Sequence, residues 1–416
     1  MNAVLLLMGL LVLSYLGSFL FAGRAGHTAG LPSGVEYVAL GFVLGPGALG
    51  LVGGDMLASF EPVVQVALGW LAFAVGLDFG YAGDRRVRLS SLVLGTLGAL
   101  FTGGAVAAAT WGTLRVFGLG ATPIDRILLA GGVGAASAET ARHAVRWVVE
   151  RRNARGPLAE RLNEIAHADD LLPLIAVSVL FALKPMPDVV VPLALRDWPA
   201  ITIGIGLLLG GGAALLVRSE LKLDETWAVL FGVTLLAIGA TARLALSTLT
   251  ASFFLGMAMA ALSKHGGELR GMVAPTERPV LLPALVLAGA HIDFHASPKL
   301  PLLAAVVIGA RLLAKIVLGW LLAATSREAR KAGGLVGLSL MSSGALSISI
   351  GLAFALRFPG WVGDTVLVIA AVSATFGEFV GPATLRRSLD AAGESDAGPH
   401  ARQRADSNAD DGASPA

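Results

Sequence analysis

The chain has 416 residues, of which 55% are hydrophobic and 14% are charged, with a formal net charge of +2 at pH 7. Soluble domains contain about 25% charged residues, so this composition indicates a membrane protein surrounded by a lipid bilayer. Cysteine is absent, which excludes disulfides, thiolate metal sites and a cysteine nucleophile. The basic residues lie in short loops, as is typical between membrane-spanning helices, so they do not indicate a nucleic-acid partner.

Apolar stretches predict thirteen membrane-spanning helices. The first, Val4 to Ala22, has no basic segment before it, so we predict a retained helix and not a cleaved signal. The other twelve begin near residues 36, 61, 90, 125, 158, 199, 225, 248, 279, 300, 331 and 362. Residues 389–416 lack apolar periodicity and are predicted to be a disordered tail, which leaves residues 1–388 as one transmembrane domain.

The distribution of Lys and Arg predicts the orientation of this domain. Eighteen basic residues fall on one set of alternate connections and seven on the other set. Basic loops are retained on the cytoplasmic side of a membrane. We therefore expect a multi-pass protein of the cell inner (plasma) membrane, with the amino terminus outside and the carboxyl terminus in the cytoplasm.

Four charged residues are predicted to lie near the middle of the bilayer, where a charge costs at least a few kcal/mol. Asp169 and Asp170 lie about 17 Å along the sixth span, and Arg311 and Lys315 reach a similar depth in the eleventh. A structural ion pair is one explanation. Two adjacent carboxylates favour an ion site, because one can bind a basic partner while the other holds either a proton or a small cation.

Two of the predicted spans are interrupted by glycine at the same depth. The fifth places glycines before a polar cluster, in the order Gly131, Gly132, Gly134, Ser137, Glu139 and Thr140. The twelfth repeats the pattern with Gly333, Gly334, Gly337, Ser339, Ser342, Ser343 and Gly344. Such a pair is typical of inverted repeats whose discontinuous helices cross at the midplane. We predict that spans one to six and eight to thirteen form the repeats, with the seventh as linker.

Three motifs, in this order, are similar to those of a known family. Leu40–Leu51 contains a Gly-Pro turn, Leu68–Asp78 ends in Gly-Leu-Asp, and Gly377–Pro382 precedes Arg386 and Arg387. Together they resemble the monovalent cation:proton antiporter superfamily, in its second branch, with the sodium/proton exchanger transmembrane domain. The resemblance covers nearly all of residues 1–388. It implies an all-α antiporter fold with two crossed discontinuous helices, a homodimer, and exchange of Na⁺ or K⁺ for H⁺ without a cofactor.

The resemblance also assigns roles to residues. Asp169-Asp170-Leu matches the family's paired-aspartate motif, which makes Asp170 the carrier of the proton and of Na⁺ or K⁺, and Asp169 its partner. Lys315 best matches the family's charge-compensating lysine, with Arg311 as the weaker candidate. The expected lining of the discontinuous-helix site is Ser137, Glu139, Thr140, Ser342, Ser343 and Gly344.

The fifth span departs from the family pattern, because Ser137-Ala-Glu139 stands where Thr-Ser-Pro is usual. Three interpretations of Glu139 remain: a third ligand, an ion-pair partner of Arg142, or a hydrated side chain in an inner funnel. His167 is either a pH-modulating group or a hydrogen-bonded packing residue. Na⁺/H⁺ exchange is the favoured function, K⁺/H⁺ exchange and a channel or sensor on the same scaffold are the alternatives, and no enzymatic motif is present.

Overall fold

A computed structural model of the chain describes residues 34–81, 89–120, 122–185, 197–217, 222–294 and 299–395, together with the isolated residues 9 and 194. The first predicted span and most of the predicted tail lie outside these residues. Every regular element within the described ranges is a helix.

The described residues form fifteen α-helices and one long 3₁₀ helix, Gly334–Leu340. The α-helices, in chain order, are α1 Val35–Leu44, α2 Gly54–Gly80, α3 Leu89–Val116, α4 Pro123–Ala138, α5 Arg142–Arg151, α6 Pro157–Ala168, α7 Leu171–Leu183, α8 Asp197–Val217, α9 Leu223–Arg243, α10 Thr248–Leu262, α11 Gly266–Ala290, α12 Leu300–Thr325, α13 Arg327–Ala332, α14 Ala345–Arg357 and α15 Trp361–Ala392.

Each of the twelve predicted spans within the described residues coincides with a helix or a helix pair. Within those residues, seven helical segments are long and apolar enough to cross a membrane, one of which is α6 and α7 together, and an eighth is the 3₁₀ helix and α14, bent by 58°. The exact number of thirteen stays a prediction. The structure corrects some boundaries: α2 begins at Gly54 instead of near residue 61, and α11 at Gly266 instead of near 279. Both extra segments carry charged residues, which an apolar scan excludes.

The helices pack as two bundles. The scaffold bundle contains α1, α2 and α8 to α11, in which α2 packs along α10 and α11 and α8 packs along α10. The core bundle contains α3 to α7 and α12 to α15 with the 3₁₀ helix, arranged around the pairs α3–α4, α3–α12 and α14–α15. Contacts between the two bundles are far less extensive. Spans four to six and eleven to thirteen, which the repeat hypothesis pairs, make up the core bundle.

Glycine permits the closest helix packing in the scaffold bundle. A Cβ atom on Gly76 of α2 would lie 2.0 Å from the carbonyl oxygen of Phe253 in α10, and one on Gly256 would lie 2.1 Å from that of Phe73. Both distances are far inside van der Waals contact, so only glycine lets the two backbones meet. Such small-residue contacts replace the hydrophobic driving force that helices lack inside lipid.

The last helix corrects the predicted end of the folded domain. α15 continues past residue 388 to Ala392, and Leu389 is fully buried against Leu158 and Leu162 of α6 among other residues. Gly393 ends the helix in the left-handed region with φ 76°, as is common for a helix C-terminus. Residues 396–416 of the predicted tail lie outside the described residues.

Candidate functional site

Asp169 and Asp170 occupy the short break between α6 and α7. Both side chains are buried, with 2% of Asp169 and 6% of Asp170 exposed. Pro173 follows in the first turn of α7 and has no amide hydrogen to donate to the carbonyl four residues earlier, at Asp169. The sixth predicted span is therefore interrupted where the sequence places its two carboxylates, a break that the apolar pattern alone does not show.

Two further interrupted helices cross beside this break. α4 and α5 are separated by residues 139–141, and the 3₁₀ helix and α14 by residues 341–344. The Ala141 amide donates to the Ser342 carbonyl at 2.8 Å, and the Ser347 hydroxyl donates to the Ala136 carbonyl at 2.6 Å. Backbone groups at a helix break have no partner within their own helix. Here the two interrupted helices supply hydrogen-bond partners to each other, which is needed because no water is available inside the bilayer.

Thr140 connects Asp169 to Lys315. The Thr140 amide donates to Oδ1 of Asp169 at 3.3 Å, and its hydroxyl accepts from Nζ of Lys315 at 2.9 Å. Thr140 and Lys315 are both buried, and the charge of Lys315 acts on Asp169. The structure therefore connects the predicted lysine to the first aspartate through Thr140, whose hydroxyl contacts the lysine and whose amide contacts the aspartate. Its charge-compensating role stays a prediction.

Arg311 lies four residues before Lys315. It donates to backbone at the point where the interrupted helices cross, and not to the aspartates. Its Nη2 donates to the backbone carbonyl of Glu139 at 2.9 Å, and its Nη1 lies 3.5 Å from the Ser373 hydroxyl. Glu139 directly follows α4, where the carbonyls at the helix end carry partial negative charge. A buried guanidinium at this position stabilises the end of α4.

The carboxylate of Glu139 accepts hydrogen bonds from the Gly344 amide at 2.9 and 3.2 Å. Glu139 is 3% exposed, which contradicts the interpretation that it is hydrated in a funnel. Its predicted ion-pair partner Arg142 binds Asp78 instead, so that interpretation is also wrong. The remaining interpretation, a third ion ligand, stays a prediction.

Asp170 differs from Asp169 in its surroundings. It precedes α7 but caps no amide of that helix, and among the described residues the structure gives its carboxylate no hydrogen-bond partner. The charge of Arg142 acts on it. Arg142 also contacts Nδ1 of His167, whose ring stacks on Phe79 at 5.0 Å between centroids. His167 is thus a hydrogen-bonded packing residue, and its pH role stays a prediction.

The predicted serines lie in the same buried region. Ser137 is in the last turn of α4, and Ser342 and Ser343 form part of the second break. The hydroxyl of Ser343 is fully buried and has no hydrogen-bond partner within the described part of the chain. Unpartnered oxygen atoms of this kind are available to a hard cation.

Sequence reasoning missed one ion cluster next to the site. Asp78, at the end of α2, accepts hydrogen bonds from Arg142 of α5 and from Arg270 of α11. Asp78 ends the Leu68–Asp78 motif, and Arg142 follows the polar Ser137–Thr140 cluster by two residues. These positions indicate that both residues lie close to the candidate site, but they do not indicate that the two side chains contact each other.

Buried aspartates beside two crossed, interrupted helices in a membrane-spanning bundle define a secondary transporter of the inverted-repeat class. A family model described as the transmembrane sodium/hydrogen exchanger matches residues 11–390, and the chain belongs to that family. The resemblance drawn from the sequence is therefore confirmed, and the chain is an integral membrane protein.

Solved structures agree with this assignment. The sodium proton antiporter MjNhaP1 from Methanocaldococcus jannaschii at pH 8 superposes with a TM-score of 0.72 at 15% identity, covering 94% of this chain and 100% of that one. An electron-microscopy structure of MjNhaP1 gives a TM-score of 0.61 at 19% identity, covering 94% and 95%. At these identities the matches establish the fold, which is the antiporter fold that was expected. None of the curated proteins matches the chain.

Proposed function

We propose that the chain is a secondary active antiporter that exchanges a monovalent cation, with Na⁺ favoured over K⁺, for protons. Asp170 is the carboxylate for which the two ions compete. The observation that carries this proposal is the contrast between the aspartates, since Asp169 is tied to Thr140 whereas Asp170 has no hydrogen-bond partner among the described residues.

Competition at one carboxylate suffices to couple the two fluxes. A proton or a cation neutralises Asp170, whereas the empty site carries a negative charge that is costly to move through a low-dielectric interior. The loaded states therefore cross more readily than the empty state. Either ion can cross in either direction, and net movement follows the gradients.

The cation ligands besides Asp170 come from the crossing of the interrupted helices. Ser137, Thr140 and Ser343 contribute hydroxyl oxygens, and the Ser343 hydroxyl is buried without a hydrogen-bond partner in the described part of the structure. Lys315 offsets the charge of Asp169, so that the pair adds little net charge to the site. We further propose electrogenic exchange by a homodimer in the inner membrane with its amino terminus outside. A second proton leaves the Asp169–Lys315 pair when the cation binds and returns when the cation leaves, so that more protons than cations move per cycle.

The test is transport by purified protein in proteoliposomes under a set voltage, with Na⁺, K⁺ and Li⁺ offered separately. We expect saturable cation flux that depends on the pH gradient, fastest with Na⁺ at limiting concentration. Faster K⁺ flux would make the protein a K⁺/H⁺ exchanger, and flux that neither saturates nor moves protons would indicate a channel.

Asp170→Asn should abolish exchange in the same assay. Asp125→Asn is the matched control, because Asp125 lies in the same core bundle and pairs with Lys184 at 3.0 Å, away from the aspartate break. Exchange retained by Asp170→Asn would refute the proposed role of this carboxylate.

A further inference from the structure

Ion pairs join the two bundles at the end of the molecule that is predicted to face the cytoplasm. Asp78 of the scaffold bundle accepts from Arg142 of the core bundle and also from Arg270 of its own bundle. In the residue after Arg142, Nε2 of His143 lies 3.5 Å from Oε2 of Glu277 in α11. The stacked rings of Phe79 and His167 add an apolar contact across the same seam. In this conformation the two bundles are closed against each other at this end.

Arg142 lies between this seam and the ion site. It begins α5, immediately after the break at residues 139–141, so it is attached to the crossing of the interrupted helices. Its guanidinium contacts His167, which precedes Asp170 by three residues. Arg142 is therefore within electrostatic reach of two carboxylates, Asp78 in the scaffold bundle and Asp170 in the core bundle.

Because Asp78 pairs with two arginines, Arg142 can leave it at a small cost in free energy. Removing one member of an ion pair that is shielded from water is unfavourable, because the charge left behind has no compensation. If Arg142 leaves Asp78, Arg270 remains bound to that carboxylate. If Arg142 then approaches a charged Asp170, its own charge is also compensated. Each of these charged side chains therefore has a partner of opposite sign in both arrangements.

The two buried cations of α12 lack this freedom. Arg311 donates to the Glu139 carbonyl and Lys315 donates to Thr140, so both contact partners within their own bundle. A guanidinium stays protonated at every physiological pH, so Arg142 can respond to the charge of Asp170 only by moving or by strengthening one contact over the other.

We propose that Arg142 is a positioning residue that couples the charge of Asp170 to closure of the two bundles at the Asp78 end. When a proton or a cation neutralises Asp170, Arg142 pairs with Asp78 and holds the bundles together. When Asp170 is empty and negatively charged, it draws Arg142 away and the bundles separate at this end. The inference rests on the proposed ion-carrying role of Asp170.

Cross-linking of the seam tests this proposal without relying on transport. The chain has no cysteine, so His143→Cys with Glu277→Cys provides a single thiol pair, at side chains that are 64% and 19% exposed. A short bifunctional thiol reagent is applied to the protein in liposomes, and mass spectrometry measures the fraction of chains in which both thiols are joined.

Two substitutions in this background should shift the cross-linked fraction in opposite directions. Asp78→Asn removes the acceptor of Arg142 and should lower the fraction severalfold, and Arg142→Gln should do the same from the other side. Asp170→Asn mimics a neutralised site and should raise the fraction. Asp125→Asn, which breaks an ion pair within the core bundle, should leave it unchanged.

The outcomes separate this proposal from the proposed function. An unchanged fraction in Asp78→Asn and Arg142→Gln would overturn the seam contact, and an unchanged or lower fraction in Asp170→Asn would overturn the coupling. Opposite shifts in a protein that moves no cation would support the coupling and refute the antiport proposal. In an active protein, cross-linking should stop exchange and reductive cleavage of the linker should restore it.

Discussion

The amide of Gly344 donates its hydrogen to the carboxylate of Glu139, 205 residues earlier in the chain. Gly344 precedes α14, whose first amides have no helical partners and carry partial positive charge. A carboxylate from the other interrupted helix therefore caps this helix. The contact joins the two breaks to each other, and it explains why a glutamate is tolerated at this depth.

Replacing Glu139 with Ala should destabilise the protein, because the Gly344 amide would remain buried without an acceptor. A hydrogen bond to a charged group contributes about 1.5–3 kcal/mol. We expect a lower melting temperature in detergent, measured by tryptophan fluorescence. Glu139→Gln retains one acceptor oxygen and should fall between Ala and wild type. A wild-type melting temperature for Glu139→Ala would contradict the capping role.

Gly337→Ala should disturb the core bundle more than the same substitution at a glycine with open space around it. A Cβ atom at residue 337 would lie 1.8 Å from the Lys315 carbonyl oxygen and 2.5 Å from the Gly319 nitrogen, both backbone atoms that cannot move aside. We expect little folded protein by size-exclusion chromatography. Gly309→Ala, on the same helix as Lys315 but with no atom within 4 Å of the added Cβ, is the control and should fold normally.

The sequence predicts the aspartate pair and the two breaks because both depend on local rules. A charge far inside an apolar stretch is costly wherever it occurs, and glycines before a polar cluster weaken a helix whatever it packs against. The depth of Arg311 and Lys315 follows from residue counting in the same way. For this reason the main residues of the candidate site can be predicted from the sequence alone.

The partners of charged residues could not be predicted in the same way. Arg142 lies 64 residues from Asp78, and Glu139 lies three residues before Arg142 in sequence but bonds to Gly344. Which carboxylate an arginine reaches depends on how two bundles meet, a long-range property that neither hydropathy nor spacing encodes. The amino-terminal segments of α2 and α11 were missed for another reason, since their charged residues give them the composition of a loop.

Thr140→Val should impair exchange, because it removes the hydroxyl that accepts from Lys315 while preserving the shape of the side chain. Loss of a hydrogen bond to a charged group costs about 1.5 kcal/mol or more, and about 1.4 kcal/mol corresponds to a tenfold change. We expect about a tenfold lower ratio of maximal rate to half-saturating Na⁺ concentration in proteoliposomes. Thr140→Ser keeps the hydroxyl and should remain near wild type. Equal impairment in both variants would show that the γ-methyl group matters and not the hydroxyl.

The segment after α15 should contribute to stability through a single carboxylate. Glu394 accepts from the amides of Leu158 and Ala159 at 2.8 Å, and its carbonyl accepts from Arg155 at 3.0 Å. It thereby caps α6, the helix that ends directly before Asp169. A side-chain cap contributes about 1 kcal/mol, which corresponds to a shift in melting temperature of about 2 °C for a chain of this size.

Truncation distinguishes this cap from the remainder of the tail. A chain ending at Ser395 should melt at the same temperature as the full-length protein, since residues 396–416 have the composition of a disordered segment. The same truncated chain with Glu394→Ala should melt about 2 °C lower, because two amides at the start of α6 lose their acceptor. Asp390→Asn is the matched control, since its pair with Arg152 is solvent-exposed and contributes little. If Glu394→Ala and its parent melted at the same temperature, the segment after α15 would contribute nothing to stability. The predicted domain end at residue 388 would then stand.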